Sequence, residues 1–531
     1  MITLIRELYQ KWQTEFNNMK RELFVVAFCS FVVYLPFMCG QLNNADGFIF
    51  GVFMHNDFGH EDSEGRFFLR FFDFWRDGMV LPAMIVGLCL VLLWIMAAVL
   101  WYTLDIRGSM MRILSGILVV CTPSIADLFT YYYTADGYCL SLLLAVLAAA
   151  FLVKGEKKGS LLAAVFAMVG SLGIYQAYIG ITVIICGFWL LRQMLENSME
   201  NKLLAKKTFH ILGGGVSGVI AYFLLYNVLD KIGYLSIDNE RIADDVVSSI
   251  FTNLLSGIKE IYQVFFEYYF ADTLIYNAWH GRCYVNALFL ALVLFMIGMV
   301  IWQNQTYKNV IRCVLSIILT VLIPVMLEVV ILIAPEIPVH AETGILMLCG
   351  MNFFYLLPVL LLPLLKGKKW IYVGANVVVK LSLVYMGVFM CMFIGVFERM
   401  VQTEETKFGT LAVRLESRIE ELDNYSPGMK VLVVGRPQSG NYPFVDDTYK
   451  TVTKGMISDY SLVFGRADQV SMSWIELFRY YCGVRYGRVS EEQRLELMES
   501  AEFAQMENYP AETAVKWIDD VVVIKLSEYV K

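Results

Sequence analysis

The chain has 531 residues, of which 58% are hydrophobic and only 17% are charged, whereas soluble globular domains carry about 25% charged residues. This composition excludes a single soluble core and favours a polytopic membrane protein. The net charge of −7 gives no reason to expect a nucleic-acid partner.

Residues 1–21 carry apolar side chains at helical spacing, which predicts an amphipathic helix on the cytoplasmic membrane surface; a partly disordered tail is the alternative. Beyond them, about eleven segments are long and apolar enough to be membrane spans. The candidate spans are 22–40, 80–102, 109–128, 136–153, 159–173, 175–191, 208–229, 284–302, 311–334, 344–365 and 371–397. The fifth and sixth could instead form one long, broken helix.

Lys and Arg set the expected orientation, because cytoplasmic loops are enriched in them. They recur in alternate loops, whereas the short loops near 122–136, 171–176 and 335–343 contain none. We therefore predict a mainly α fold, a helix bundle over residues 22–398 with the N-terminus inside and the C-terminus outside. Residues 41–79 and 230–283 form its large outer loops.

The first outer loop opens with "NNADGF", which places Asp46 a few residues after the first span. Three interpretations compete: a helix cap, a solvated loop residue or the chemical centre of an enzyme. Further along, "HNDFGHED" could hold a divalent cation, although a solvated polar turn is favoured.

The same loop ends in "GRFFLRFFDFWRDG", which predicts a helix lying on the outer leaflet. Its apolar face contains Phe67, Phe68, Phe71, Phe72 and Trp75. Arg66, Arg70, Asp73 and Asp77 lie on another face. A guanidinium at this depth suits a phosphate, and lipid anchoring is the alternative role.

Other candidates lie at the outer ends of later spans. Asp136 in "TADGYCLSLLLA" is predicted to be an N-cap, and Tyr138 follows it. Tyr175 and Gln176 are expected at the outer end of a hairpin, where polar groups commonly line a cavity. The stretch "YNAWHGR" adds two candidates, His280 and Arg282, while its tryptophan suits the interfacial belt.

Residues 399–531 have an ordinary composition and predict a small extracytoplasmic α/β domain. A helical pattern, "TLAVRLESRIEELDNY", precedes the predicted strand "KVLVVG", and a second predicted strand, "DVVVIKL", ends the tail. The glycine after the first of these strands is weak evidence for a nucleotide site.

Several of these motifs together resemble the bacterial membrane glucosyltransferases that decorate O-antigen and other surface glycans. The motifs are "NNADGF", "GRFFLRFFDF", "YYYTADGYCLSLLLA", "SLGIYQAYIGI" and the helix–strand pattern of the tail. The resemblance spans nearly the whole chain. It implies a GT-C-like fold, a polyprenyl-phosphate-sugar donor, a surface-glycan acceptor and an active site on the extracytoplasmic face of the cell membrane.

The resemblance also implies an essential acid in the first outer loop, which corresponds to Asp46. Asp46 would act as general base in an inverting transfer of a hexose. Arg66, together with Arg70 or Arg282, would stabilise the phosphate. Many GT-C members show two adjacent acids, whereas Asp46 is flanked by Ala45 and Gly47; a second acid could come from Asp62 or Glu64, or Asp46 acts alone. A lipid-linked glycan transporter or flippase and a glycan polymerase remain alternative functions. No cofactor is implied with certainty; a divalent cation is the one candidate.

Overall fold

The computed structural model describes residues 16–55, 61–62, 64–155, 157–235, 246–272, 275, 281–333, 344–366, 369–437 and 467–528. The amphipathic helix predicted over residues 1–21 therefore lies mostly outside the described residues. Within them the protein is mainly helical, as the composition predicted.

Helices make up most of the described residues up to Glu420. In order they are α1 Lys20–Cys39, α2 Ala45–Gly51, α3 Arg70–Arg76, α4 Pro82–Thr103, α5 Ser109–Val120, α6 Pro123–Leu128, α7 Tyr132–Lys154, α8 Lys158–Leu172, α9 Ile179–Glu196, α10 Asn201–Lys231, α11 Val246–Phe270, α12 Arg282–Gln303, α13 Val310–Val321, α14 Ile323–Leu327, α15 Val330–Ile333, α16 Gly344–Met347, α17 Leu357–Leu361 and α18 Lys369–Glu420. Short 3₁₀ segments are Gln176–Tyr178, Thr306–Lys308, Leu348–Leu356 and Leu362–Leu364.

Eight helical segments of the described chain are long and apolar enough to cross a membrane. Three further apolar helices, α5, α8 and α13, are shorter, at 10–17 residues. The predicted span 109–128 is interrupted because α5 ends at Val120 and α6 begins at Pro123. The predicted span 311–334 is likewise divided among α13, α14 and α15. The total of about eleven crossings therefore stays a prediction.

The helix α7 lies at the centre of the bundle and packs against α4, α8 and α9. Its sequence "LAVLAAAFLV" places small alanines among larger residues, so neighbouring helices approach closely. Most of its apolar window is buried within the protein, whereas α10 and α12 keep many apolar side chains exposed. Those exposed side chains suit contact with lipid.

The C-terminal part contains a three-stranded sheet in the order β1, β3, β2, formed by β1 Lys430–Val434, β2 Val515–Ile518 and β3 Val521–Lys525. Strand β1 is parallel to β3, and β2 is antiparallel to it. Helix α19 Ala467–Cys482 packs beside β1; α20 Glu491–Glu499 and α21 Ala501–Ala504 follow. Both predicted strands are present, and a separate extracytoplasmic domain stays a prediction.

Helix α18 connects the two parts without a break. Its first half packs in the bundle, and its second half contributes Phe408 and Leu415 to a core with Trp474 of α19. Near the middle, the ring of Phe397 stacks on Phe37 of α1 at 6.3 Å between centroids. The C-terminal ends of α1 and of the bundle half of α18 therefore lie on the same side of the bundle.

Candidate active site

Asp46 lies in the first turn of α2, but it is not the cap of that helix. Asn44 is the N-cap, and its side chain accepts a hydrogen bond from the backbone N–H of Gly47 at 2.8 Å. The cap interpretation of Asp46 is therefore wrong. The carboxylate is half-buried in the first helical turn, where the exposed N–H groups of the helix favour a negative charge.

Helix α2 is held against the segment that leads into α7. The backbone N–H of Asn44 donates to the carbonyl of Thr130 at 3.3 Å. At the other end of α2, a Cβ added to Gly51 would lie only 2.5 Å from Cβ of Tyr133, so this close approach requires glycine. These contacts fix the position of Asp46 relative to the tyrosines of "TYYYT".

Tyr131 is within electrostatic reach of Asp46 and of a second acid, Asp127. Burial raises the pKa of Tyr131 well above its ordinary value, and the nearby carboxylates of Asp46 and Asp127 raise it further. Asp127 is buried in α6, which begins with the N-cap Thr122 and Pro123. The sequence analysis did not single out Asp127, because Asp127 and Asp46 act on the same tyrosine only in the folded chain.

Arg66 lies beside a pair of stacked tyrosines. The rings of Tyr138 and Tyr175 are 4.2 Å apart between centroids and nearly parallel, at 19°. The guanidinium carbon of Arg66 lies 5.0 Å from the centroid of the Tyr175 ring, and Nη1 donates to the Tyr138 hydroxyl at 3.0 Å. Nη2 contacts the Glu64 carboxylate at 2.7 Å. The structure thus brings four predicted site residues together.

The residues around Arg66 raise the pKa of its guanidinium. Burial alone would lower its pKa, but the neighbouring Tyr138 and the Glu64 carboxylate raise the pKa above its already high value. In the other direction, burial raises the pKa of Tyr175 to about 12 although Arg66 opposes the rise. Arg66 therefore remains a cation and Tyr175 a neutral hydroxyl at physiological pH.

Gln176 supports the turn that carries Glu64. Its side-chain amide donates to the Glu64 carbonyl at 2.6 Å and to the Tyr222 hydroxyl at 3.0 Å. That hydroxyl in turn donates to the carbonyl of Gly65 at 3.2 Å. Gln176 thus positions the backbone next to Arg66.

The remaining pair of predicted residues in the first loop forms a second ion pair. Arg70 bonds to the carboxylate of Asp62, donates to the carbonyl of Tyr234 at 3.3 Å and lies 4.5 Å from the centroid of the Tyr234 ring. Asp62 is almost fully buried. This pair joins the first outer loop to the loop after α10.

A buried charge network lies behind these residues. His55 places Nδ1 2.8 Å from Asp73 and Nε2 2.9 Å from Glu61. Asp73 also contacts Arg76 at 3.2 Å. The solvated turn expected for "HNDFGHED" is therefore wrong for His55, which is only 1% exposed. The other histidine of that stretch lies outside the described residues.

The network continues into α7. Nε of Arg76 lies 3.1 Å from Asp136, and another guanidinium nitrogen donates to the carbonyl of Tyr133 at 2.8 Å. Asp136 is not the predicted N-cap, because α7 begins one turn earlier, at Tyr132. The carboxylate of Asp136 instead neutralises a buried guanidinium.

Two opposing carboxylates determine the protonation of His55. Burial alone would lower the pKa of His55, but its hydrogen bonds with Asp73 and Glu61 raise the pKa to about 9. Burial raises the pKa of Asp73, although His55 and Arg76 oppose the rise. The imidazolium donates to both carboxylates and fixes the start of the loop.

The helix predicted from "GRFFLRFFDFWRDG" is shorter than expected and differently oriented. It spans only Arg70–Arg76, and its exposed aromatic side chains are Phe71, Phe74 and Trp75. Phe67 is buried against Tyr222 instead. Asp73 and Arg76 face inward because they belong to the charge network. We call Phe71, Phe74 and Trp75 the aromatic surface.

Arg282 belongs to another cluster. It is fully buried, donates to the carbonyl of Tyr268 at 2.9 Å and lies 5.1 Å from the centroid of the Phe389 ring. These contacts involve none of the residues that surround Arg66. His280 lies outside the described residues.

The part of the chain that the structure describes contains no group of three or more His, Cys, Asp or Glu side chains that could hold a metal ion. In the first loop, Glu61, Asp62, Glu64 and Asp73 are paired with Arg or His.

A family model described as Glucosyl transferase GtrII matches residues 54–356, more than half of the chain. The chain therefore belongs to this family and is a glycosyltransferase, as the sequence predicted. The matched region includes Arg66, Asp127 and both stacked tyrosines, whereas Asp46 lies just before it. No curated protein and no solved structure matches the chain.

Proposed function

We propose that this protein transfers glucose from a polyprenyl-phosphate donor to a surface glycan on the extracytoplasmic side of the cell membrane. One observation carries the proposal: helix α7 contacts both the helix of Asp46, through Tyr133 against Gly51, and the guanidinium of Arg66, through the hydroxyl of Tyr138. Tyr133 is within electrostatic reach of both Asp46 and Arg66. Membership of the glucosyl transferase family supplies the class of reaction.

Asp46 acts as general base. It accepts the proton of the acceptor hydroxyl as that oxygen attacks the anomeric carbon of the donor. The bond between this carbon and the phosphate oxygen breaks, and its electron pair leaves with the phosphate. A single displacement of this kind inverts the configuration at the anomeric carbon. Asp127, which like Asp46 acts electrostatically on Tyr131, is our candidate for a second acid beside Asp62 and Glu64, whose carboxylates contact arginines.

Arg66 stabilises the leaving phosphate. Its two terminal nitrogens contact Tyr138 and Glu64, whereas its Nε is buried and has no hydrogen-bond partner among the described residues. A phosphate oxygen would satisfy this donor. The stacked rings hold the guanidinium plane in advance, so little reorganisation is needed when negative charge develops.

The aromatic surface orients the enzyme toward the lipid. Phe74 is 85% exposed, although it follows directly on the buried Asp73. Exposed aromatic rings beside a buried ionic network suit the interfacial region of a bilayer. The polyprenyl chain of the donor would then lie in the leaflet that this surface enters, with its phosphate near Arg66.

The test is a transfer assay with the full-length protein in liposomes that contain polyprenyl-phosphate [¹⁴C]glucose. Cell envelopes of a strain that lacks the enzyme serve as acceptor. Asp46→Asn should reduce transfer by about 10²–10⁴-fold, the usual contribution of a general base. Asp77→Asn, in the exposed turn after α3, is the matched control. Activity of Asp46→Asn within a few-fold of wild type would exclude the base role.

The same assay distinguishes the alternative functions. A flippase would move the labelled lipid across the bilayer without incorporating label into glycan. A polymerase would require lipid-linked oligosaccharide rather than a single glucose. Incorporation from UDP-[¹⁴C]glucose but not from the lipid donor would overturn the donor assignment.

A further inference from the structure

A cleft lies where the second half of α18 passes between the end of α1 and helix α19. It has a volume of about 960 Å³, at the upper end of the range of roughly 300–1,000 Å³ for ligand pockets. One wall is formed by residues 399–414 of α18, and the other walls are formed by Gly40, Leu42, Tyr480 and Tyr481. We propose that this acceptor cleft binds the glycan that receives glucose, and that this glycan is anionic; the inference rests on the proposed function.

The charge of the acceptor cleft favours an anionic ligand. Arg399, Lys407 and Arg414 line it, whereas Glu405 is the one acid among its described lining residues. Lys407 is paired with Glu404 at 3.4 Å, so the excess positive charge rests on Arg399 and Arg414. The carboxylate of Glu405 already accepts a hydrogen bond from the backbone N–H of Asn43 at 2.8 Å. The whole chain carries a net charge of −7, so a positive cleft is a local reversal of sign that would attract anions.

The spacing of these cations favours an elongated ligand. Arg399, Lys407 and Arg414 follow one another at eight and seven residues along a continuous helix. With a rise of about 1.5 Å per residue, the row extends roughly 22 Å. A compact monosaccharide would meet one of the two arginines, whereas a polymer with repeated acidic groups would meet both.

The aromatic wall of the acceptor cleft suits sugar rings. The rings of Tyr480 and Tyr481 lie 4.9 Å apart, almost perpendicular to each other. The hydroxyl of Tyr481 is buried and has no hydrogen-bond partner among the described residues. A tyrosine presents an apolar face and a polar tip, so this wall can contact both the C–H face and the hydroxyls of a sugar.

The acceptor cleft adjoins the proposed catalytic acid. Phe48, two residues after Asp46, contacts the ring of Tyr480 at 5.4 Å between centroids. On the other side of Asp46, Asn43 contacts Glu405 through its backbone. The segment that carries Asp46 is therefore one border of the cleft, and a glycan bound there could present a hydroxyl to that carboxylate.

The experiment compares the double variant Arg399→Gln/Arg414→Gln with wild type in the liposome assay, using envelopes of the strain that lacks the enzyme as acceptor. We expect the amount of envelope needed for half-maximal transfer to rise about tenfold, because charge-assisted contacts are lost. The half-saturating concentration of donor lipid should not change. Arg485→Gln removes an exposed charge outside the cleft and should leave both quantities unaltered.

Two results would overturn the inference. An unchanged acceptor dependence in the double variant would exclude the acceptor role, and a donor dependence altered at the same time would point to a site for the donor phosphate. Labelled glycan that an anion-exchange column does not retain would exclude an anionic acceptor. Failure of the proposed function differs from both, because wild-type protein would then transfer no glucose from the lipid donor.

Discussion

The guanidinium of Arg66 lies over the ring of Tyr175, with 5.0 Å between its central carbon and the ring centroid. The two residues are far apart in the chain: one follows the turn of the first outer loop, and the other precedes α9. Their contact joins the first outer loop to the helical bundle at the point where we place the donor phosphate. A phosphate bound there would meet a cation whose orientation is already set.

Arg66→Lys should reduce glucose transfer about tenfold to a hundredfold and raise the half-saturating donor concentration. Lysine keeps the charge but loses the planar fork and its stacking on Tyr175; hydrogen bonds to charged groups contribute roughly 1.5–3 kcal/mol. Steady-state transfer assays at several donor concentrations measure both quantities. Arg70→Lys, which alters the separate pair with Asp62, is the matched control. Equal donor dependence in the two variants would contradict the assignment.

Tyr138→Phe should have a smaller effect than loss of Arg66. The variant removes only the hydroxyl that accepts from Arg66 at 3.0 Å, while the stacked ring remains. A net contribution of roughly 0.5–1.5 kcal/mol for this hydrogen bond corresponds to at most about a tenfold loss of transfer. A complete loss of activity in a folded variant would show that the hydroxyl does more than orient the arginine.

Asp127→Asn should reduce transfer without preventing folding, because amide and carboxylate have nearly the same shape. If Asp127 assists Asp46, the variant should also change the pH dependence of transfer, since the electrostatic environment of Asp46 would alter. The measurement is the transfer rate between pH 5 and pH 9. Asp105→Asn, in an ion pair with Lys154 at the far end of α7, tests for a general charge effect. Identical pH profiles for Asp127→Asn and wild type would exclude coupling to Asp46.

The network around His55 predicts a loss of stability at alkaline pH. The pKa of His55 is raised from 6.5 to about 9 in the folded protein, so folding strengthens proton binding. The resulting stabilisation is complete below about pH 6.5 and disappears as pH rises through about 9. Thermal unfolding of the detergent-solubilised protein at pH 6 and pH 9.5 should show the decline. His55→Gln should be less stable at pH 6 and should show a smaller decline.

Gly51→Ala should be destabilising although alanine favours helices. Its Cβ would lie 2.5 Å from Cβ of Tyr133, and overpacking of this kind costs about 1–3 kcal/mol. Because α2 carries Asp46, transfer should fall as well. Gly213→Ala in α10 is the control, since nothing beyond the neighbouring backbone of its own helix lies within 4 Å of its added Cβ. That variant should gain up to about 1 kcal/mol from helix propensity. Unaltered unfolding temperature and activity in Gly51→Ala would contradict the close packing.

The sequence predicted which segments are helical and apolar because membrane spans require long apolar runs. It also predicted Arg66, Tyr138 and Tyr175 as site residues, and they lie together. The predictions for Asp136 as an N-cap and for the surface position of Asp73 were wrong. The sequence alone does not distinguish a buried carboxylate that is paired with arginine from an exposed one.

The sequence also did not show which residues that are distant along the chain lie close together in the folded protein. Asp127 lies more than 80 residues after Asp46, and only Tyr131, near both carboxylates, indicates that they share one environment. Arg282 shows the opposite case, a residue that was predicted to act with Arg66 but lies apart from it. It packs against Tyr268 and Phe389. Both outcomes depend on how the helices pack, which composition and periodicity do not specify.

Helix α18 is continuous, so the orientation of its second half is determined by that of its first half. An α-helix turns by about 100° and advances by about 1.5 Å per residue. One residue inserted between the bundle and Phe408 would therefore rotate Arg414, Trp474 and the sheet by more than a quarter of a turn about the helix axis. The protein's tolerance for length changes in this segment should be very low, even though each of its two halves would keep its own core.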